Sequence, residues 1–199
     1  MIYEVVIATK KDDRDNKAPI GVYFKDNKII MHLFYGSHTY YNLLTEDYFS
    51  VNVVHPIELV KAVLEDEDDY LYYTNNKIKS KIPYLKNSYY VIFCKVIGRK
   101  FIEKNDIFGK SKMMIVEGEE IDRVYLNNLP KPYNRADGLL VEMAVIYSRL
   151  TNKNVKLNEK DKKEFINDLN KYFSIIKKVG SLEHKKLAKV MLKEIYDIK

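Results

Sequence analysis

A change of hydrophobic period near residue 130 constrains this chain more than any other feature. Before it, apolar residues come in short runs rich in Val, Ile, Phe and Tyr; beyond it, they recur at spacings of three and four. A chain of 199 residues built this way must close a sheet with its first two-thirds and bury helical stripes with its last third. At this length a folded chain buries about 70% of its unfolded surface, so no disulfide or metal staple is required.

The runs Ile2 to Thr9, Ala18 to Phe24, Lys28 to Tyr35 and Tyr48 to Val54 are predicted strands. The second and third form a hairpin closed at Lys25-Asp26-Asn27, where Asp and Asn accept the dihedrals of a tight turn. Pro56 opens a predicted helix that runs through Leu64, and the acidic run 65–69 after it reads as a solvated loop. Tyr89 to Glu103 and Met113 to Leu126 are two further long strands. Many strands with few short helices predict a barrel, so the fold class is mainly β with α. The division expected is a β-barrel over 1–126, a linker over 127–133 containing Pro130 and Pro132, and a helical region over 134–199. In that last region Leu139, Leu140, Met143, Ile146, Tyr147 and Leu150 form one stripe, and Phe165 to Val179 carries a second. Gly180 stops that helix and Ser181 caps a third, whose stripe is Leu187, Met191 and Ile195. The three helices must pack on the barrel or on a partner subunit.

Charge and cysteine usage narrow the setting. The net charge is +6 with a sequence pI near 9.0, and the C-terminal Lys pairs are interspersed with Glu and Asp. That mixture reads as a solvated helix face rather than a nucleic-acid stripe. The lone cysteine, Cys94, lies in the apolar run Tyr89 to Val96 and reads as a buried, inert thiol. No window approaches the ~20 apolar residues of a membrane span, and the N-terminus reads as an opening strand rather than a basic leader, which predicts a cytoplasmic protein.

Several familiar chemistries fail on spacing. Gly109-Lys110-Ser111 matches the end of a P-loop, but Lys104 stands where that motif needs its first glycine. A dinucleotide-type glycine cluster is missing. His32, His38, His55 and His184 have no zinc-ligand spacing, and no Ser/His/Asp order suggests a nucleophilic triad.

Four elements remain. Ala18-Pro19-Ile20-Gly21-Val22 opens the second strand, where proline limits pairing and glycine allows close approach of a backbone or a flat ligand. Gly36-Ser37-His38-Thr39-Tyr40-Tyr41-Asn42 follows the third strand as a capped helix start, whose unpaired N–H groups suit a phosphate. Asn52 is one amide inside an apolar strand and must find hydrogen-bond partners there. Asn134-Arg135-Ala136-Asp137 opens the first C-terminal helix, with Asn134 as its cap and Arg135 available for a bidentate phosphate contact. Each element also has a plain structural reading: an ordinary capped helix, Gly21 as a strand kink, Asn52 as a satisfied core amide, Arg135 as a surface ion-pair partner.

Taken in order, "APIGV", "YGSHTYYNL", "FSVNVV" and "YNRADGLLVEMAVIYSRL" resemble an archaeal family of uncharacterised proteins with the flavin reductase-like, FMN-binding split barrel. The resemblance covers residues 2 to 150 and extends toward the helical tail. It implies a homodimer of split β-barrels holding FMN at or near the subunit interface. Carried over residue by residue, Pro19, Ile20, Gly21 and Val22 would lie against the isoalloxazine ring and ribityl chain. Ser37, His38, Thr39 and Asn42 would grip the phosphate, and Asn52 would pair with polar edges of the ring. Asn134 and Arg135 would supply a second phosphate or interface contact. Related flavin reductases carry Arg or Lys in the phosphate loop, whereas this chain has His38 and Tyr40, so the charge would fall to Arg135 or a lysine elsewhere.

Two functional readings follow. One is an FMN-dependent oxidoreductase passing electrons to a small-molecule acceptor; the redox chemistry would be the flavin's, so no acid–base triad is needed. The other is a non-enzymatic protein that binds a ligand or nucleic acid through the barrel and its basic helices. A fold alone does not choose between them.

Overall fold

The computed structural model describes residues 1–64, 70–76, 78–106, 109–126, 130, 134–152, 155 and 157–197, except the side chains at 79–80, 104–106 and 109–111. The acidic run 65–69 and all of the expected linker except Pro130 lie outside the described residues. Two compact units are present. One comprises Met1–His55, Glu65–Asn105 and Lys110–Pro130; the other comprises Pro56–Leu64, Asp106–Gly109 and Lys131–Lys199.

The first unit begins with β1 (Tyr3–Lys11) and β2 (Arg14–Lys25), which are joined through Asp12 and Asp13. Both aspartates have positive φ, at 49° and 60°, the handedness that a two-residue hairpin requires. Asp26, at φ 55°, turns the chain into β3 (Lys28–Phe34). There follow the short helix α1 (His38–Asn42), β4 (Tyr48–Val54), β5 (Tyr70–Asn75), β6 (Ile78–Leu85), β7 (Ser88–Asp106) and β8 (Gly109–Tyr125). Six strands close an antiparallel barrel in the order β1-β2-β3-β8-β7-β4, and Val6↔Asn52, Ile7↔Val51 and Ala8↔Ser50 complete the ring. The mainly-β fold with a helical tail expected from the sequence is therefore present.

The barrel interior follows the period of two. Val5 and Ile7, Ile29, Met31 and Leu33, Phe49 and Val51, Ile92 and Cys94, and Met114 and Val116 alternate inward from their strands and pack as one cluster. Each large side chain so buried contributes about 1.5–3 kcal/mol. Gly118 is needed for close approach: a Cβ there would lie 2.4 Å from Cζ of Phe49. Cys94 is fully buried, and burial pushes its thiol above the ordinary range, which keeps it protonated and unreactive. Gly109 to Ser111 opens β8 as a strand, not the loop-to-helix turn of a P-loop.

The hairpin β5–β6 is an element that sequence pattern did not identify. It lacks apolar alternation and contains Pro83, and it is held by contacts distant in sequence. Tyr73 stacks on Phe93 of β7 at 4.0 Å between centroids, and Ser50 Oγ donates to the Pro83 carbonyl at 2.6 Å.

The second unit is helical: α2 (Pro56–Val63), α3 (Arg135–Thr151), α4 (Glu159–Val179) and α5 (Leu182–Asp197). The three expected helices of the tail are joined by a fourth, α2, which sequence order places among the strands. Its Ile57 and Val60 bury in the cluster of Leu140, Met143, Leu169, Ile176, Leu187 and Met191. Lys61 on its other side bonds Glu58 at 3.1 Å and Glu183 at 2.9 Å. Among the described residues no helix is long and apolar enough to cross a membrane.

Candidate functional site

The turn after β3 is built by local chemistry. Tyr35 N–H donates to the Lys112 carbonyl at 2.9 Å, and Gly36 then turns at φ 97°. Ser37 caps α1: its Oγ accepts from Tyr40 N–H at 3.2 Å and donates to the Phe34 carbonyl at 3.0 Å. The first-turn N–H groups of His38 and Thr39 have no partner within so short a helix. Rings of Tyr35, Tyr40 and Tyr41 meet edge to face at 5.5 to 5.8 Å beside this turn. A hydrogen bond with Tyr35 raises the Tyr41 phenol above its ordinary value. Among the described residues, Lys11 and Arg99 meet the carbonyl side of this segment. Lys11 donates to the Tyr41 carbonyl at 3.4 Å, and Arg99 donates to the carbonyls of Leu43 (2.6 Å) and Glu46 (2.9 Å) and to Asp47 (2.8 Å).

The four residues expected to form one phosphate cradle point in two directions. Ser37 and His38 are exposed at the start of the helix, whereas Thr39 and Asn42 are buried on its inner face. There Asn16 of β2 donates to Thr39 Oγ1 at 3.0 Å and to Thr9 Oγ1 at 3.4 Å, and Asn42 donates to Thr9 Oγ1 at 2.9 Å. Thr9 and Thr39 are 0% and 1% exposed. The sequence reading selected neither Thr9 nor Asn16. The one available signal was a hydroxyl ending an otherwise apolar strand at Thr9; Asn16 sits in a charged stretch that showed no period.

Pro19, Ile20, Gly21 and Val22 lie on β2 opposite Val6, Val5, Glu4 and Tyr3 of β1. On its other side β2 pairs with β3 only from Val22 to Lys25, so among the described residues Arg14 to Gly21 has no second ladder. Pro19, with no N–H to offer, fits such an edge. Val22 faces the barrel core, while Pro19, Ile20 and Gly21 are half-buried. The close approach at Gly21 is made by a side chain of the chain itself: a Cβ there would lie 2.7 Å from Cγ2 of Ile2.

Asn52 is fully buried and spends its amide inside the protein. Its Nδ2 donates to the Val6 carbonyl at 3.0 Å and to Ser50 Oγ at 2.9 Å; its Oδ1 accepts from Leu85 N–H at 2.8 Å and from Ser88 Oγ at 3.3 Å. It is a satisfied core amide that ties β4 to β1, β6 and β7.

Asn134 and Arg135 belong to the helical unit. Asn134 caps α3, accepting from Ala136 N–H at 2.9 Å, while its Nδ2 donates to the Val179 carbonyl at 3.1 Å. Asp137 completes a capping box by accepting from Asn134 N–H at 3.0 Å. A second box faces it. His184 Nδ1 accepts from Ser181 N–H at 3.3 Å, Ser181 Oγ accepts from His184 N–H at 3.4 Å, and Nε2 of the same ring bonds Asp137 Oδ1 at 2.9 Å. Ser181, His184 and Asp137 thus lie in hydrogen-bonded series, but as two joined helix caps. Arg135 is exposed on the first turn of α3. No group of three or more potential metal ligands occurs among the described residues.

A closed six-strand antiparallel barrel with a capped helix between β3 and β4, followed along the chain by a helical unit, is the split β-barrel fold class. The chain belongs to the DUF447 family. The model described as "Protein of unknown function (DUF447) N-terminal domain" matches residues 3–127, and that described as "Protein of unknown function (DUF447)" matches residues 134–193. The chain is 72% identical over 195 residues to the uncharacterized protein MJ1453 of Methanocaldococcus jannaschii, covering 98% of each. Its fold is similar to the crystal structure of the FMN-bound protein MM1853 of Methanosarcina mazei, of the same family. The TM-score is 0.77 at 25% identity, over 98% of this chain and 94% of that one.

Proposed function

We propose that this protein binds FMN and serves as a flavin-dependent oxidoreductase for a small-molecule acceptor, working as a homodimer. The observation that carries the reading is the FMN bound to MM1853, a protein of the same family that matches nearly the whole chain. The residues present fit the group: the half-buried Pro19 to Gly21 stretch of β2, which has no second ladder among the described residues, suits a flat ring, and the Ser37-capped turn after β3 suits an anion. In this reading Pro19, Ile20 and Gly21 line the ring and ribityl chain while Val22 anchors their strand in the barrel core, and Ser37 and His38 face the phosphate. Thr39 and Asn42 hold that turn from inside. Asn52 keeps β4 in register behind the site rather than touching the ring, because all its bonds are already made. Arg135, exposed at the start of α3, is left as a subunit-interface contact, whereas Asn134 spends its side chain on capping α3 and on the Val179 carbonyl. Bound FMN would supply the redox chemistry, and the chain's part is to orient the ring, neutralise the phosphate and limit access of water.

The test is direct. The purified protein reconstituted with FMN should show flavin absorbance after gel filtration, eluting at the size of a dimer. Ser37→Ala combined with Thr39→Ala should weaken FMN at least about tenfold, equivalent to ~1.4 kcal/mol. Failure of the unaltered protein to retain flavin would end the cofactor reading. Unchanged affinity in the double variant would remove only the phosphate-turn assignment.

A further inference from the structure

We infer that Ser181 is a nucleophilic hydroxyl, activated by His184 and Asp137, that takes an acyl group from small carboxylic esters or thioesters and passes it to water. The inference is independent of the FMN reading and lies wholly within the helical unit. Hydrogen bonds set the order of the series. Ser181 N–H donates to Nδ1 of His184 at 3.3 Å, and a backbone N–H can only donate, so that nitrogen carries a lone pair. Nε2 therefore bears the ring proton and donates it to Asp137 Oδ1 at 2.9 Å. With Nδ1 unprotonated, the hydroxyl is the donor in the 2.7 Å contact between Ser181 Oγ and that nitrogen. A serine hydroxyl thus meets a neutral imidazole whose far side is held by a carboxylate, the arrangement that activates a serine for attack.

Burial is distributed as this chemistry needs. His184 and Asp137 are buried, whereas Ser181 is exposed and open to a reactant. The carboxylate is fixed by its second oxygen, which accepts from Asn134 N–H at 3.0 Å, so the imidazole is oriented from behind. Capping does not compete with attack. His184 N–H uses one lone pair of Ser181 Oγ at 3.4 Å, which leaves the other lone pair for the acyl carbon and the proton for Nδ1. Ser181 also directly precedes α5, a 16-residue helix whose positive end favours an oxyanion forming beside it. In the first step Oγ bonds to the acyl carbon and its proton moves to Nδ1. The bond to the leaving oxygen or sulfur then breaks, and the leaving group takes that proton. Water attacks the acyl-serine in turn, gives a proton to Nδ1, and the acid departs as the proton returns to Oγ. Asp137 stabilises the imidazolium in both steps, and no oxidant or reductant is needed.

The capping arrangement supplies the controls. His184 is the third residue of its helix, a position where Gln also accepts the cap N–H, and Asn caps as well as Ser does. His184→Gln and Ser181→Asn therefore keep the helix start while removing the base or the nucleophile. The full chain is treated with p-nitrophenyl acetate and, separately, with a fluorophosphonate, and adducts are located by peptide mass mapping. The expected result is a burst of p-nitrophenol and an adduct on Ser181. Both should vanish in Ser181→Asn, and labelling should slow about 100-fold or more in His184→Gln at unchanged helix content. An unaltered protein that carries no adduct on Ser181 would overturn the inference, as would an undiminished labelling rate in His184→Gln; Ser181 is then a cap alone. The first of these outcomes is read without any variant, so it decides the matter even if a variant does not fold.

Discussion

Replacing Asn52 by Ala would strand four partners at once: the Val6 carbonyl, the Leu85 N–H and the hydroxyls of Ser50 and Ser88. Both serines have other uses or can turn, but the two backbone groups cannot follow the missing amide. Each buried group left without a partner costs about 1–3 kcal/mol, so Asn52→Ala should lose about 3 kcal/mol or more in urea unfolding. A loss below about 1 kcal/mol would show that water replaces the amide, and the core-amide role would fall. That Asn52 must find partners was legible from one amide in an apolar strand. Which partners it finds was not, because Val6, Leu85 and Ser88 are 46, 33 and 36 positions away. The same separation hides Asn16, whose partner Thr39 is 23 positions distant. Gly21 shows the reverse case: its need for space was legible, but the occupant turned out to be Ile2.

At the scale of elements, the helical unit is fastened where three helix ends meet. The box of Asn134 and Asp137 starts α3, the box of Ser181 and His184 starts α5, and Asn134 also bonds the last carbonyl of α4 at Val179. Because Nδ1 of His184 accepts the Ser181 N–H, Nε2 carries the proton that meets Asp137. Asp137 and His184 are 3% and 4% exposed, so removing either costs the other one bond of a buried network. Asp137→Ala and His184→Ala should each destabilise the protein, and the double variant should lose less than their sum. The expected coupling is about 1–3 kcal/mol in a double-mutant cycle read by urea unfolding. Strict additivity would mean that the two caps act independently. Sequence supplied Asn134 and Ser181 as caps, since capping is a matter of neighbours. It could not supply their junction, which joins residues 47 positions apart. For the same reason α2 was legible as a helix but not as a member of the helical unit.

At the scale of the molecule the buried apolar side chains form distinct clusters among the described residues, one inside the barrel, one among the helices and one on β6 and β7 around Ile78, Ile82, Val91 and Phe93. A ligand that binds only the folded state adds stability by mass action. FMN at a hundred times its dissociation constant should therefore contribute about 2.7 kcal/mol and raise the melting temperature, whereas free phosphate at the same concentration should not. No shift with FMN would count against the proposed cofactor. The sequence by itself determined the barrel-then-helices order, the caps at Ser37, Asn134 and Ser181 and a second strand whose Pro19 limits pairing, because period, turn chemistry and capping act over a few residues. Tertiary structure alone decided that α1 is held by Thr9 and Asn16, that β5 and β6 pair at all, and that Asn52 faces inward with every bond spent. Those outcomes depend on which distant strands become neighbours when the barrel closes, and hydrogen-bond partners are chosen only after that closure has fixed who is adjacent to whom.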